Sequence, residues 1–297
     1  MRFPSPSTLA CLSLLGCGSA PDSAHKPIAA QPASARTREL DKSTWAKLKR
    51  FEQLYRQPPA PSDAAGDAAR DQELAQLRIE LCSDKNSSFW LARLFVRDSI
   101  VALDQGLATV ADFVEVATSP QNRILDRAVA QLVAMGPHGV PCVTEDLLLH
   151  PHSDRKELGV RLLQAIGPVV LLEVAPLADA ADPAVRRAAI ETLSSMQEEE
   201  QAKLAISKAA GDSHFAVRGA AYAALARRGD TALDQLLKAL AEDQDPYVRR
   251  TIAKELGRSR DPRARAALLD YRVRCVQQKD SRGIEAADEA LAVGGQK

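Results

Sequence analysis

From residue 121 onward apolar residues recur at helical spacing, and the pattern itself recurs. Val185, Ala188, Ala189 and Leu193 fall on one face of a helix, with polar residues between them. Val217, Ala220, Ala221, Ala224 and Leu225 repeat that face, and Val248 opens a third copy. The anchoring valines are 32 and 31 residues apart. A fixed period of this size marks stacked helical units, none of which can bury its apolar face alone.

The polar punctuation supports the same reading. Asp182-Pro183 and Asp245-Pro246 are helix starts, since Asp accepts from a free backbone N–H and Pro at the first helical position forfeits no hydrogen bond. One period holds two helices. Second helices are expected at Thr231–Ala241, with Leu233, Leu236, Leu237 and Leu240 on a face, and after Asp261-Pro262 through Leu268 and Leu269. Glu198-Glu199-Glu200 marks the start of another, where negative charge suits the helix dipole. Two weaker first helices run over Ile124–Leu132 and Leu158–Ile166, each followed by Gly-Pro, and Gly283–Leu291 is a last single helix.

Upstream the period fades. Helices are expected over Thr37–Arg56, Ala69–Leu81, Ser88–Leu103 and Val110–Ala117, and Pro58-Pro59-Ala60-Pro61 stops the first. Residues 37–120 therefore read as an irregular helical cap on a repeat body of residues 121–297. Residues 1–16 read as an export signal with the short apolar core Leu9–Leu15, and residues 17–36, rich in Ala, Pro and Ser, as a disordered tether. Leu14-Leu15-Gly16-Cys17 resembles the bacterial lipobox, which implies that Cys17 carries a lipid.

Composition narrows the function classes. Lys plus Arg and Asp plus Glu both number 39, and this balance argues against a nucleic-acid coat. Cys82, Cys142 and Cys275 form no Cys-x-x-Cys pair and read as small buried residues. His150-Pro151-His152 with Asp154 reads as a turn before a metal site, and Asp243/Asp245 and Asp179/Asp182 as helix caps before a carboxylate dyad. No catalytic set, metal site or cofactor is expected. The densest basic stretch holds Arg258, Arg260, Arg263, Arg265, Arg272 and Arg274, interrupted by Asp261 and Asp270. Arginine suits oxyanions such as an acidic partner or a lipid phosphate, although a solvated face is the commoner role of such a run.

Asp-Pro-x-Val-Arg-x-x-Ala-x-x-x-Leu resembles the first helix of HEAT repeats, and the short period is similar to the HEAT-like repeats of phycobilisome lyases. The tetratricopeptide and ankyrin signatures are absent. The resemblance implies an all-α, right-handed alpha solenoid of about five helical hairpins behind the N-terminal cap. It further implies a ladder between repeats, with Asp182, Asp212 and Asp245 matched to Arg186, Arg218 and Arg249. It also implies a concave surface lined by second helices, which offers Asp234, Gln235, Lys238, Arg263, Asp270 and Arg272 to a partner. The expected function is a lipid-anchored, non-catalytic protein-binding scaffold of the bacterial cell envelope, facing the periplasm or in the outer membrane. It would bind an unidentified protein partner and no nucleic acid. The alternative is an enzyme or subunit of the bilin-lyase type.

Overall fold

The computed structural model describes residues 39–57, 64–104 and 123–294. The signal, Cys17, the tether and the expected helix at Val110–Ala117 lie outside them. Among the described residues the regular elements are all helical. The cap comprises α1 (Lys42–Arg56), α2 (Ala64–Cys82) and α3 (Lys85–Asp104). The expected start at Thr37 is corrected to Lys42, because Asp41 caps α1 and accepts from the N–H groups of Ser43 and Thr44. Helix α2 begins five residues earlier than the expected Ala69.

Phe51, Tyr55 and Phe95 meet edge to face inside the cap, with centroids 5.8 and 5.2 Å from the Phe95 ring. Helix α3 then packs on α4 (Arg123–Met135), so the core of the cap runs on into the repeat body.

Helix α4 and residues 136–148 form the first hairpin, and α6 (Ser153–Ile166) with residues 168–179 the second. Both second halves are broken into short turns around α5 (Val140–Val143) and α7 (Leu171–Val174). Proline causes this. Pro137 and Pro141 in one, and Pro168 and Pro176 in the other, remove backbone donors and clash with the preceding turn. Gly136 and Gly167 supply the positive φ, 57° and 88°, that ends each first helix. The later hairpins are regular: α8 (Pro183–Leu193) with α9 (Glu200–Ala209), α10 (Phe215–Ala226) with α11 (Leu233–Glu242), and α12 (Pro246–Leu256) with α13 (Pro262–Gln278). Helix α14 (Ser281–Gly294) closes the row.

Successive first helices pack directly on one another, from α4 through α6, α8, α10 and α12 to α14. Their facing residues are small: Ala188, Ala189, Ala220, Ala221, Ala253 and Ala287 are all buried. A Cβ on Gly257 would fall 2.7 Å from the Ala290 Cα, so α12 and α14 meet backbone to backbone there. Val185, Val217 and Val248, the sequence anchors, are buried at 2%, 0% and 0% exposure.

An arginine ladder links the turns. Arg186 Nε and Nη2 donate to both Asp212 oxygens at 2.8 and 2.9 Å, and Nη1 donates to the carbonyls of Ala180 and Ala181. Arg218 repeats the arrangement with Asp243, at 2.9 and 3.0 Å, and with the carbonyls of Asp212 and Ser213. Asp245, the expected ladder residue, is corrected to a cap: it accepts from the Tyr247 N–H at 2.8 Å. The carboxylate two residues before the cap faces the preceding arginine. His214 is the corresponding cap of α10, through Nδ1 at 3.3 Å from the Ala216 nitrogen. Asp182 likewise caps α8 and lies 4.0 Å from Lys156. Arg249 donates to the Asp243 carbonyl.

Candidate functional site

Once the caps, turns and ladder are accounted for, two positions on each first helix point away from the stack. They are the fifth and ninth residues after the cap: Glu157 and Arg161 on α6, Arg187 and Glu191 on α8, Gly219 and Ala223 on α10, and Arg250 and Lys254 on α12. Only α10 carries no long side chain there. The result is a groove of about 410 Å³ over the first-helix layer. Gly219, Ala220, Ala223 and Ala224 form its floor. Lys156, Glu157, Arg161 and Gln164 wall it on the α6 side, and Tyr247 and Thr251 on the α12 side.

The rim is held in place by its own bonds. Arg187 Nε lies 2.6 Å from Glu191 Oε1, one turn along α8. Gln164 Nε2 donates to the Glu191 carbonyl at 2.8 Å, and Arg227 Nη1 to Ser194 Oγ at 2.9 Å. The Tyr247 ring stands edge-on to Phe215, 5.5 Å between centroids. A Cβ on Gly219 would come within 2.8 Å of Tyr247 Cε1, so that ring leans over the bare helix. Beyond it, Arg250, Lys254, Glu285 and Glu289 line a further 430 Å³ between α12 and α14. The face therefore carries both signs on α6 and α8 and positive charge on α12, while on α10 Gly219 is buried beneath the Tyr247 ring and Ala223 is partly exposed.

The six second-helix candidates lie elsewhere; none lines this groove. Arg263 on α13 reaches Asp234 on α11 at 2.7 Å and also holds Asp261. Arg272 pairs with Asp288 on α14, and Lys238 lies 3.9 Å from Glu242. Gln235 and Asp270 are exposed. Arg263 and Arg272 each bridge two helices through exposed pairs. The sequence pattern places Ala220, Ala221 and Ala224 on the repeated apolar face and gives Gly219 and Ala223 no role. Counted from the cap, Gly219 and Ala223 stand at the positions of Arg187 and Glu191 on α8, which is the signal for this groove in the sequence.

Other groups show less convergence. The Trp45 and Trp90 rings, 6.0 Å apart, line a 610 Å³ cavity between α1 and α3, whose edge carries the Arg93–Asp146 pair at 2.9 Å. His150 Nδ1 accepts from the His152 N–H at 3.2 Å inside its turn. Among the described residues no three His, Cys, Asp or Glu side chains gather as a metal site. Cys142 and Cys275 are buried and Cys82 partly so; all three are free thiols. Burial pushes the Cys142 thiol well above its ordinary range, with Asp146 adding to the shift.

Residues 202–292 match the family model described as HEAT repeats. Among solved structures the chain is similar to human deoxyhypusine hydroxylase in complex with glycerol. The two are 16% identical, with 86% of this chain and 98% of that chain covered and a TM-score of 0.35. No curated protein matches the sequence.

Proposed function

Starting from a chain that carries HEAT repeats over residues 202–292, we propose that it is a non-catalytic protein-binding scaffold whose first-helix groove holds a segment of a partner protein. The observation that carries this reading is the groove over α10, floored by small residues, partly covered by the Tyr247 ring at Gly219 and walled by longer residues. Stacked repeats present an extended surface. A floor of alanine and glycine admits another chain's side chains or backbone at close range. The rim supplies both signs, Arg187 with Glu191 and Arg161 with Glu157, which suits a polypeptide better than a polyanion.

The scaffold is tethered to a membrane of the bacterial envelope through lipid on Cys17. This part of the proposal rests on Leu14-Leu15-Gly16-Cys17 following an apolar core and on the Ala/Pro/Ser-rich stretch that separates it from α1. The test is in-cell crosslinking with mass spectrometry, comparing the wild type with Ala223→Arg. The larger side chain fills the groove without entering the stack, since Ala223 faces outward. Loss of the principal crosslinks with an unchanged helical spectrum supports the groove. Retention of every crosslink rejects it.

A further inference from the structure

The basic stretch around Arg260 takes no part in the groove described above, and the structure gives it a cavity of its own. The turn between α12 and α13 separates two hollows on the edge of the repeat body. The larger, about 700 Å³, lies between that turn, the first turns of α13 and the last turn of α14. The smaller, about 330 Å³, lies towards the turn that follows α10. Leu256, Arg258, Ser259 and Arg260 line both.

The larger hollow joins two kinds of surface. Leu256, Leu268, Leu291 and Val293 make an apolar floor, and Val293 is 52% exposed. Arg258, Arg260 and Arg265 stand around it. Among the described residues the one carboxylate in its lining, Asp261, is already engaged: it caps α13 by accepting from the Arg263 N–H at 2.8 Å and pairs with the Arg263 guanidinium at 3.0 Å. Arg258 Nη1 donates to Glu255 Oε2 at 2.5 Å and is already paired. Arg265 Nη1 donates to the Leu291 carbonyl at 3.4 Å, and among the described residues Arg260 makes no ion pair. Two guanidinium groups at the hollow, Arg260 and Arg265, therefore have no carboxylate partner among the described residues.

We propose that this hollow binds an anionic amphiphile, with a phosphate or carboxylate head on the arginines and an acyl chain over Leu256, Leu291 and Val293. Arginine forms two parallel charge-assisted bonds to such a head, and the fork geometry suits phosphate and carboxylate alike. A free inorganic anion would leave the apolar floor uncovered, and a neutral amphiphile would leave the guanidinium groups uncovered. The site shares no lining residue with the groove over α10 and does not rest on the partner reading.

Calorimetric titration of the full-length chain with dodecyl phosphate, below its critical micelle concentration, tests the proposal. Saturable binding is expected, and it should weaken by about ten-fold or more, roughly 1.4 kcal/mol, in Arg260→Glu/Arg265→Glu. Val293→Ser should weaken it comparably by removing the apolar contact without adding charge, and both variants should keep the wild-type melting temperature without ligand. Three other probes separate the sources. Inorganic phosphate should fail to displace dodecyl phosphate, dodecyl maltoside should bind more weakly, and phosphatidylglycerol vesicles should compete less well than the monomer. No binding, wild-type affinity in both variants, equal affinity for the neutral detergent, displacement by inorganic phosphate, or binding to vesicles alone would each overturn it.

Discussion

Arg218 and Asp243 belong to successive repeats, yet their side chains meet through two hydrogen bonds of 2.9 and 3.0 Å with only 17% and 7% of their surfaces exposed. Arg186 and Asp212 stand in the same relation one repeat earlier. These pairs are shielded, and their arginines also bind the carbonyls of the turn. Replacing Arg218 with Ala leaves the Asp243 carboxylate nearly buried without its main partner. The expected cost is about 1–3 kcal/mol, the penalty for an unpaired buried polar group. Arg218→Ala/Asp243→Ala should recover part of that loss, because both charges go together. Chemical denaturation of the two variants measures the difference, and equal stabilities would detach the ladder from the fold.

The same pairs set a pH dependence. Arg186 holds Asp212 below the ordinary carboxylate value of 3.8, aided by the His214 N–H. Burial alone would raise Asp243, but Arg218 and the Asp245 N–H reverse the effect and hold it low. A depressed folded-state pKa contributes stability that is present above the unfolded value and is lost as pH falls through the folded one. Melting temperature should therefore be nearly flat from neutrality down to about pH 5 and fall below the ordinary aspartate range near pH 4. The Arg218→Ala/Asp243→Ala variant should show a shallower acid limb. An identical limb would assign acid sensitivity to other carboxylates.

Much of this architecture was legible because the chain states it locally. Asp-Pro marks the start of α8 and α12, and the valine three residues past the cap is buried in both. The irregular stretches 136–148 and 168–179 were less legible: the prolines that break them also resemble ordinary turn residues. The ladder was misread at Asp245 because Asp243 and Asp245 are the same residue type two positions apart. Only packing decides which one faces Arg218 and which caps α12. The groove was hidden for a different reason. Alanine and glycine serve both tight stacking and an empty outer face, and composition does not separate Ala221, which is buried, from Ala223, which is not.

Val217 tests the core of the register. It is fully buried in the first helix of the central regular hairpin. Val217→Asp places a charge among apolar neighbours, a change associated with losses above about 3 kcal/mol. Ala223→Arg, six residues on but facing outward, should change stability by about 0.5 kcal/mol or less. Thermal melts followed by circular dichroism compare the two. A Val217→Asp protein that melts like the wild type would remove this residue from the core.

The proposed lipid anchor is tested at Cys17. Cys17→Ser should leave an unlipidated precursor and move the protein out of the detergent phase on Triton X-114 partitioning. The bacterial modification supplies two or more acyl chains, enough for stable anchoring where one is marginal. Wild-type partitioning in the mutant, with no lipid in the intact mass of the native protein, would remove the anchor from the proposed function.

The last prediction separates the two faces of the repeat body. Lys238, Arg263 and Arg272 were expected to serve a partner, but Arg263 joins α13 to α11 and Arg272 joins α13 to α14. Both pairs are exposed, and exposed pairs contribute only about 0–1 kcal/mol. Reversing all three charges should therefore lower the melting temperature slightly and leave the helical spectrum intact. It should also leave the groove over α10 untouched, since none of the three lines it. The principal crosslinks made by the wild type should persist in the reversed variant and disappear in Ala223→Arg. The opposite result, crosslinks lost on charge reversal and kept in Ala223→Arg, would move the partner to the second helices and overturn the groove reading. Each variant is thus a control for the other, because one alters charge on α11 and α13 while the other adds bulk and a charge only on the outer face of α10.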